Sequence, residues 1–310
     1  MCDALVRHGS EYTIVRWIKA TLEGCVAVAT LNEISLRFVI SRGCPQGGVL
    51  SPLLWCLVVN DLITRLSGSG VFIQGYADDI RCQLAVGKFP NTVSGLMQWA
   101  LLTVEIWCKE VGLSVNPDKT GLIAFTRKKK LQGFFELQLF GVKLCLSRSV
   151  KYLGVILDSW LTWRQHLEVK VRKAQNLLCA CKRACGIGWG LRPKVVHWLY
   201  VAIVRLTISF ASLAWWLGCQ MASIKSNLSK VQRLACLGIT GAFRTTPTSA
   251  MEVLSGLPPL DLVIQVEARS TANRLWGLGC WSYLHPQQGH SRILTRLQGS
   301  DPIFNRRSIL

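Results

Sequence analysis

Asp78 and Asp79 stand side by side between two strand-like apolar runs, residues 71–76 and 80–86, so the sequence sets a pair of carboxylates on a tight hairpin turn. Like charges at contact distance repel, and partial burial penalises both. A hard divalent cation relieves that conflict, and carboxylates that hold two ions about 3.5–4 Å apart serve metal-assisted phosphoryl transfer. Aspartate also favours turns through its own local hydrogen bonds, so on its own the pair fits a solvated turn as well. A second chemical signal is positive charge. The 310 residues carry 36 Lys plus Arg against 17 Asp plus Glu, a formal charge of +19, which suits a polyanion or an anionic membrane surface. Residues 127–151 contain Arg127, Lys128, Lys129, Lys130, Lys143, Arg148 and Lys151 against Glu136 alone. Residues 164–192 repeat the bias: Arg164, Lys170, Arg172, Lys173, Lys182, Arg183 and Arg192 face only Glu168. On a helix these would form either a phosphate-binding stripe or an ordinary solvated face.

The elements that must position these groups follow from periodicity. Residues 2–22 read as two short helices broken near His8 and Gly9. Val26 to Leu31 and Leu36 to Ile40 read as a hairpin, and Arg42-Gly43-Cys44-Pro45-Gln46-Gly47-Gly48 as a loop. A helix is expected over 49–66, with Ser51 as N-cap and Pro52 in its first turn. A further helix is expected from Thr92 to Val111, stopped by Gly112. Leu113 to Val115, Asn116-Pro117-Asp118 and Gly121 to Thr126 read as strand, turn and strand. Short strands are expected over 137–157, with Tyr152-Leu153-Gly154 at a turn, and long helices after Trp163. The change of character puts a boundary near residue 160. No fixed-period repeat is present, and no low-complexity run exceeds Lys128 to Lys130.

The 13 cysteines are odd in number and lack disulfide-framework spacing, which points to a reducing intracellular compartment, nuclear or cytoplasmic. Cys179, Cys181 and Cys185 read as small core residues, and Cys280, His285 and His290 supply too few ligands for a zinc site. No structural zinc is expected. Residues 195–219 are long and apolar enough to span a bilayer, but Arg205 lies at their centre and His197 near one end, so a buried core helix is the better reading.

Order and spacing of motifs carry a resemblance. Tyr76-Ala77-Asp78-Asp79 follows Arg42-Gly43-Cys44-Pro45-Gln46-Gly47-Gly48-Val49-Leu50-Ser51-Pro52 by about thirty residues. Leu113-Ser114-Val115-Asn116-Pro117-Asp118-Lys119-Thr120 and then Tyr152-Leu153-Gly154-Val155-Ile156-Leu157-Asp158, with Trp163 and His166, continue the series. Together these resemble the reverse transcriptases of non-LTR, jockey-like retrotransposons, and the similarity extends to about residue 270 through Ala-Trp-Trp at 214–216 and Leu257-Pro258-Pro259. The resemblance implies an α+β fold: a polymerase palm with an antiparallel sheet and packed helices (1–160), an all-helical thumb (161–220), and a C-terminal helical or connection region (221–310). It implies RNA-directed DNA synthesis with an RNA template, a DNA primer and two Mg²⁺ ions. Asp78 and Asp79 would bind metal, and Tyr76 would lie near the primer end. Gln46 and Gly47 would line the nascent base pair and template, and Lys119 would protonate departing pyrophosphate. Tyr152, Leu153 and Gly154 would grip the primer, while Lys170, Arg172, Lys173, Lys182 and Arg183 would track backbone phosphates.

The pattern breaks upstream. The family takes a third carboxylate from an earlier palm strand, yet before residue 42 the only acids are Asp3, Glu11, Glu23 and Glu33, and residues 26–31 contain none. The fingers that clamp the nucleotide are not seen either. The sequence therefore reads as a fragment that does not polymerise, because positioning and charge neutralisation supply nearly all the catalysis in phosphoryl transfer. A non-catalytic nucleic-acid-binding remnant and a membrane protein spanning 195–219 are the rival readings.

Overall fold

The computed structural model describes residues 2–278 other than 24, 33, 41–42, 44–46, 68–69, 77–78, 85–88, 127–132 and 187–188; residues 72, 79–84, 185–186 and 276 are described in backbone only. Gln46, Asp78, the basic run 127–130, Cys280, His285 and His290 thus lie outside the described residues. The chain divides between Ser147 and Arg148 into two compact units, earlier than the change of character near 160. Mixed helices and small two-stranded antiparallel pairs make up both.

The amino-terminal unit begins with α1 (Cys2–Arg7) and α2 (Tyr12–Leu22), then β1 (Val26–Leu31) paired in antiparallel register with β2 (Ile34–Val39). Helix α3 (Ser51–Leu66) leads into β3 (Val71–Tyr76), which pairs with β4 (Asp79–Leu84); α4 (Pro90–Val111) and the short pair β5 (Gln138–Leu139) and β6 (Val142–Lys143) follow. Val58, Val59, Leu62 and Leu66 recur at helical spacing on α3. They bury against Val71 and against Ala100, Val104, Trp107 and Cys108 of α4, the apolar stripe that fixes each helix to the core. Three helices are tied by charge as well. Asp61 of α3 holds Arg7 of α1 at 2.9 Å and Arg65 at 3.0 Å, and Arg65 reaches Glu110 of α4 at 2.7 Å.

Several boundaries differ from expectation. Helix α3 starts at Ser51, with Leu50 at the cap position and no side-chain cap, so Ser51 is a first-turn residue. Helix α4 starts at Pro90, two residues early, and stops where expected, at a left-handed Gly112 with φ 69°. The strand-turn-strand expected over 113–126 is absent. In its place Pro117–Lys119 form a 3₁₀ turn, and Leu122 makes a single parallel bridge to Leu146. Asn116 explains the change: its side chain accepts from the Asp118 amide at 2.9 Å, and Thr120 Oγ1 donates to its carbonyl at 3.0 Å. Such local bonds compete directly with a ladder.

In the carboxy-terminal unit β7 (Ser149–Tyr152) pairs with β8 (Val155–Asp158), and the long basic helix α5 (Arg164–Arg183) follows. The pair β9 (Cys185–Gly186) and β10 (Trp189–Gly190) precedes α6 (Pro193–Leu199), a π-helical turn (Tyr200–Arg205), α7 (Leu206–Ser209) and α8 (Ser212–Trp215). A 3₁₀ turn (Trp216–Gln220), α9 (Ala222–Thr240), α10 (Thr248–Ser255) and α11 (Leu260–Gly277) complete it. One continuous core joins Leu167, Ala174 and Leu178 of α5 to Tyr200, Val204, Ile208 and Trp215, to α9 through Leu228 and Val231, and to α11 through Ile264 and Ala268. The apolar stretch 195–219 is therefore broken. Its two parts, Pro193–Ser209 and Ser212–Gln220, meet at 51°, with Ala211 left-handed at φ 56° between them. Among the described residues no single helix is long and apolar enough to cross a membrane, although this bent pair passes by length and composition. Cys179 is exposed and Cys181 half-buried, which corrects the expectation that they fill the core.

Candidate active site and nucleic-acid interface

The β3–β4 register runs from Val71 opposite Leu84 to Tyr76 opposite Asp79. Asp79 is thus the first paired residue of β4, and Tyr76, exposed, ends β3. Behind them the strand lies on α3, since a Cβ added at Gly75 would meet Val59 and Ile63 at 3.7 and 3.9 Å. Gly47, at φ 82°, sits in the approach to α3. Lys119 is exposed at the end of the 3₁₀ turn after α4. The structure brings Tyr76 and Asp79 together and leaves Gly47 and Lys119 on separate loops of the same unit. Among the described residues no group of three His, Cys, Asp or Glu side chains is assembled that could hold a metal ion.

In the carboxy-terminal unit the geometry is richer. Tyr152 pairs with Val155, so Leu153 and Gly154 form the turn, both left-handed at φ 45° and 78°. Two consecutive left-handed residues are what a tight hairpin requires. Gly154 faces Phe210: a Cβ there would come within 3.3 Å of Phe210 Cε1. The ammonium of Lys170 sits over the same ring, 4.7 Å from its centroid, a cation–π contact. Burial holds the Lys170 amine below its usual range, and Lys173 and Lys151 push the same way. The turn at Leu153–Gly154, Lys151, Lys170 and Lys173 are therefore neighbours. Replacing Gly154 with alanine is expected to destabilise this unit by about 1–2 kcal/mol, because a left-handed residue would acquire a Cβ. Denaturant unfolding of wild type and variant checks this, and an unchanged midpoint would contradict the turn geometry.

His166 and Asp158, which the motif series includes without a role, anchor this corner. His166 is buried; its Nδ1 accepts from the Ile156 amide at 3.2 Å, and its ring lies 5.9 Å from the Trp215 indole. Burial pushes its pKa down to about 4, and Lys170 adds to the shift. Asp158 accepts from Thr162 N, Thr162 Oγ1 and Trp163 N at 2.9, 3.0 and 3.0 Å, which folds the turn that starts α5. The signal for His166 was its step of four residues to Lys170, one helical turn. Phe210 carried no sequence signal.

The remaining basic residues of α5 do not make a single stripe. At about 100° per residue, Lys170 flanks one side of the face buried by Leu167, Val171, Ala174 and Leu178, Lys182 flanks the other, and Arg172, Lys173 and Arg183 point away from it. They form a broad positive arc, with only the Lys170 end tied to the hairpin.

Hairpin, basic helix and motif order converge on a polymerase class. Residues 4–157 match the reverse transcriptase (RNA-dependent DNA polymerase) family, and the chain belongs to it. Its relatives place it, more narrowly, among the reverse transcriptases of non-LTR retrotransposons. It is 27% identical over 242 residues to a 115 kDa protein of the type-1 retrotransposable element R1DM of Drosophila melanogaster, which covers 78% of this chain and 23% of that relative. It is 26% identical over 225 residues to a Pol polyprotein of the type-1 element R1 of Nasonia vitripennis, covering 71% of this chain and 66% of the relative. The RNA-directed DNA polymerase of the mobile element jockey of Drosophila funebris is 30% identical over 157 residues, 49% of this chain and 16% of that protein. The chain thus spans less than two thirds of these relatives' lengths. No solved structure matches it significantly.

Proposed function

We propose that this chain supplies palm and thumb parts of an RNA-directed DNA polymerase, with the palm in the amino-terminal unit and the primer grip and thumb in the carboxy-terminal one. The observation that supports the reading is the β3–β4 register, which sets Asp79 opposite Tyr76. Two adjacent carboxylates are hard oxygen donors of the kind Mg²⁺ takes, so Asp78 and Asp79 would hold it. When bound, the metal would supply charge neutralisation on the transferring phosphoryl group. The chain's own groups do the rest: Gln46 and Gly47 line the nascent base pair, Tyr76 meets the primer end, and Lys119 gives a proton to pyrophosphate. Tyr152, Leu153 and Gly154 hold the primer strand, and Lys170, Arg172, Lys173, Lys182 and Arg183 take RNA template and DNA primer by their phosphates.

With no carboxylate in β1, and Asp3 in α1 rather than on a strand, the 310-residue polypeptide has two of the family's three metal ligands. Purified, it is expected to show no primer extension on an RNA template with Mg²⁺ or Mn²⁺; robust synthesis that Asp78→Asn abolishes would overturn this. A second reading, binding without catalysis, is favoured by one feature. Among the described residues no ion pair engages Lys151, Lys170 or Lys173, which leaves these cations for a polyanion. On that reading salt-sensitive binding of an RNA/DNA hybrid survives Asp78→Asn.

A further inference from the structure

The grip hairpin is held from behind at two places, and both holds lead to one aromatic pair. His166 takes the backbone amide of Ile156 on β8. Phe210 packs on Gly154 at the turn. Trp215 joins the two, since its ring lies against His166 and its Nε1 donates to the Phe210 carbonyl at 2.9 Å. The circuit closes on charge: Lys170 stands one helical turn beyond His166 on α5, and its ammonium rests on the Phe210 ring. Trp215 is fully buried and His166 nearly so, so neither can touch a nucleic acid. What they can set is where the turn and the lysine stand relative to each other.

We propose that His166 is a positioning residue of the primer-binding site: through Ile156 on one side and Trp215 and Phe210 on the other, it fixes the Tyr152-Leu153-Gly154 turn against the Lys170 ammonium so that both meet the same stretch of phosphate backbone. This rests on the polymerase reading above and names how its grip is kept in register. Lys151, exposed on β7 beside the turn, adds a third cation to the same patch. A neutral imidazole is the species required, because only an unprotonated Nδ1 accepts from an amide.

The test is a double-mutant cycle on the full chain, read by fluorescence anisotropy with a labelled RNA/DNA hybrid across a salt series. Lys170→Ala is expected to weaken binding by about fivefold and to lower the salt slope by about one. His166→Leu, which keeps apolar volume and removes the acceptor, is expected to weaken it similarly. His166→Asn, whose Oδ1 can stand in for Nδ1, restores most of the affinity. The deciding result is the pair: His166→Leu with Lys170→Ala should bind no more weakly than Lys170→Ala alone, since groups in one network are not additive. Losses that multiply would mean that His166 only supports the fold, and the proposal would fail. Phe210→Leu supplies the same cycle from the exposed side of the circuit, so a poorly folded His166→Leu does not end the test. Additive losses for Phe210→Leu with Lys170→Ala would refute the proposal equally. If wild type binds the hybrid without salt dependence, or Lys170→Ala changes nothing, it is the polymerase reading that falls.

Discussion

Truncating Trp215 to alanine is expected to cost about 3–5 kcal/mol, the range for removing a large aromatic from a close-packed interior. The side chain is fully buried within the core shared by α5, α9 and α11, and its indole N–H is bonded to the Phe210 carbonyl. Its loss therefore leaves a cavity and an unsatisfied carbonyl together. Trp215→Phe keeps most of the volume and should lose less. Trp198 provides the contrast: it is 62% exposed, and Trp198→Ala should change stability by no more than about 0.5 kcal/mol. Urea unfolding of the three variants measures the difference. Equal effects at 198 and 215 would show that the helix over 193–209 presents the opposite face to the core.

Acidification is the second large effect. His166 has a folded pKa of about 4 against an ordinary 6.5, so below 6.5 the unfolded chain binds a proton that the folded chain refuses. Stability is then complete above the unfolded value and declines as pH falls toward 4, by about 3 kcal/mol at about 1.4 kcal/mol per pH unit. Asp158 acts in the same direction at lower pH. Burial raises its pKa, but the bonds from Thr162 and Trp163 outweigh burial and hold the carboxyl below its usual range. Its contribution is present above the ordinary carboxylate value and is lost as pH falls through the depressed one. Urea midpoints between pH 7 and 4 should fall for wild type, and His166→Asn should flatten the part of the profile above 4. A flat wild-type profile over that interval would contradict the burial of a neutral imidazole.

Elements with strong periodic signals were legible in the residues. Helices α3 and α4, the hairpins at 26–39 and 71–84 and the turn at 153–154 all lie within a few residues of their expected places, because apolar spacing and turn chemistry act locally. What escaped was decided by side-chain bonds or by distant packing. Asn116 and Thr120 replaced an expected strand pair with a 3₁₀ turn. Phe210 meets Gly154 from 56 positions further along the chain, a contact that no local pattern encodes. The carboxylate pair was read as a turn, whereas the register of β3 with β4 makes Asp79 the first paired residue of β4. The broken helix at 193–220 was hidden for another reason. Composition reports how apolar a segment is, and the bend at Ala211 leaves composition unchanged.

The π-helical turn over Tyr200–Arg205 makes the segment sensitive to its residue count. It lets Tyr200, Val204 and Ile208 face the interior at an even step of four, where ordinary winding would drift by about 40° at each step. Removing one amino acid there would tighten the coil and swing everything downstream by roughly a quarter revolution, carrying Phe210 off the hairpin. Replacing a side chain leaves the winding intact. Single-residue insertions and deletions, more than exchanges of one amino acid for another, are the changes this stretch is least able to absorb.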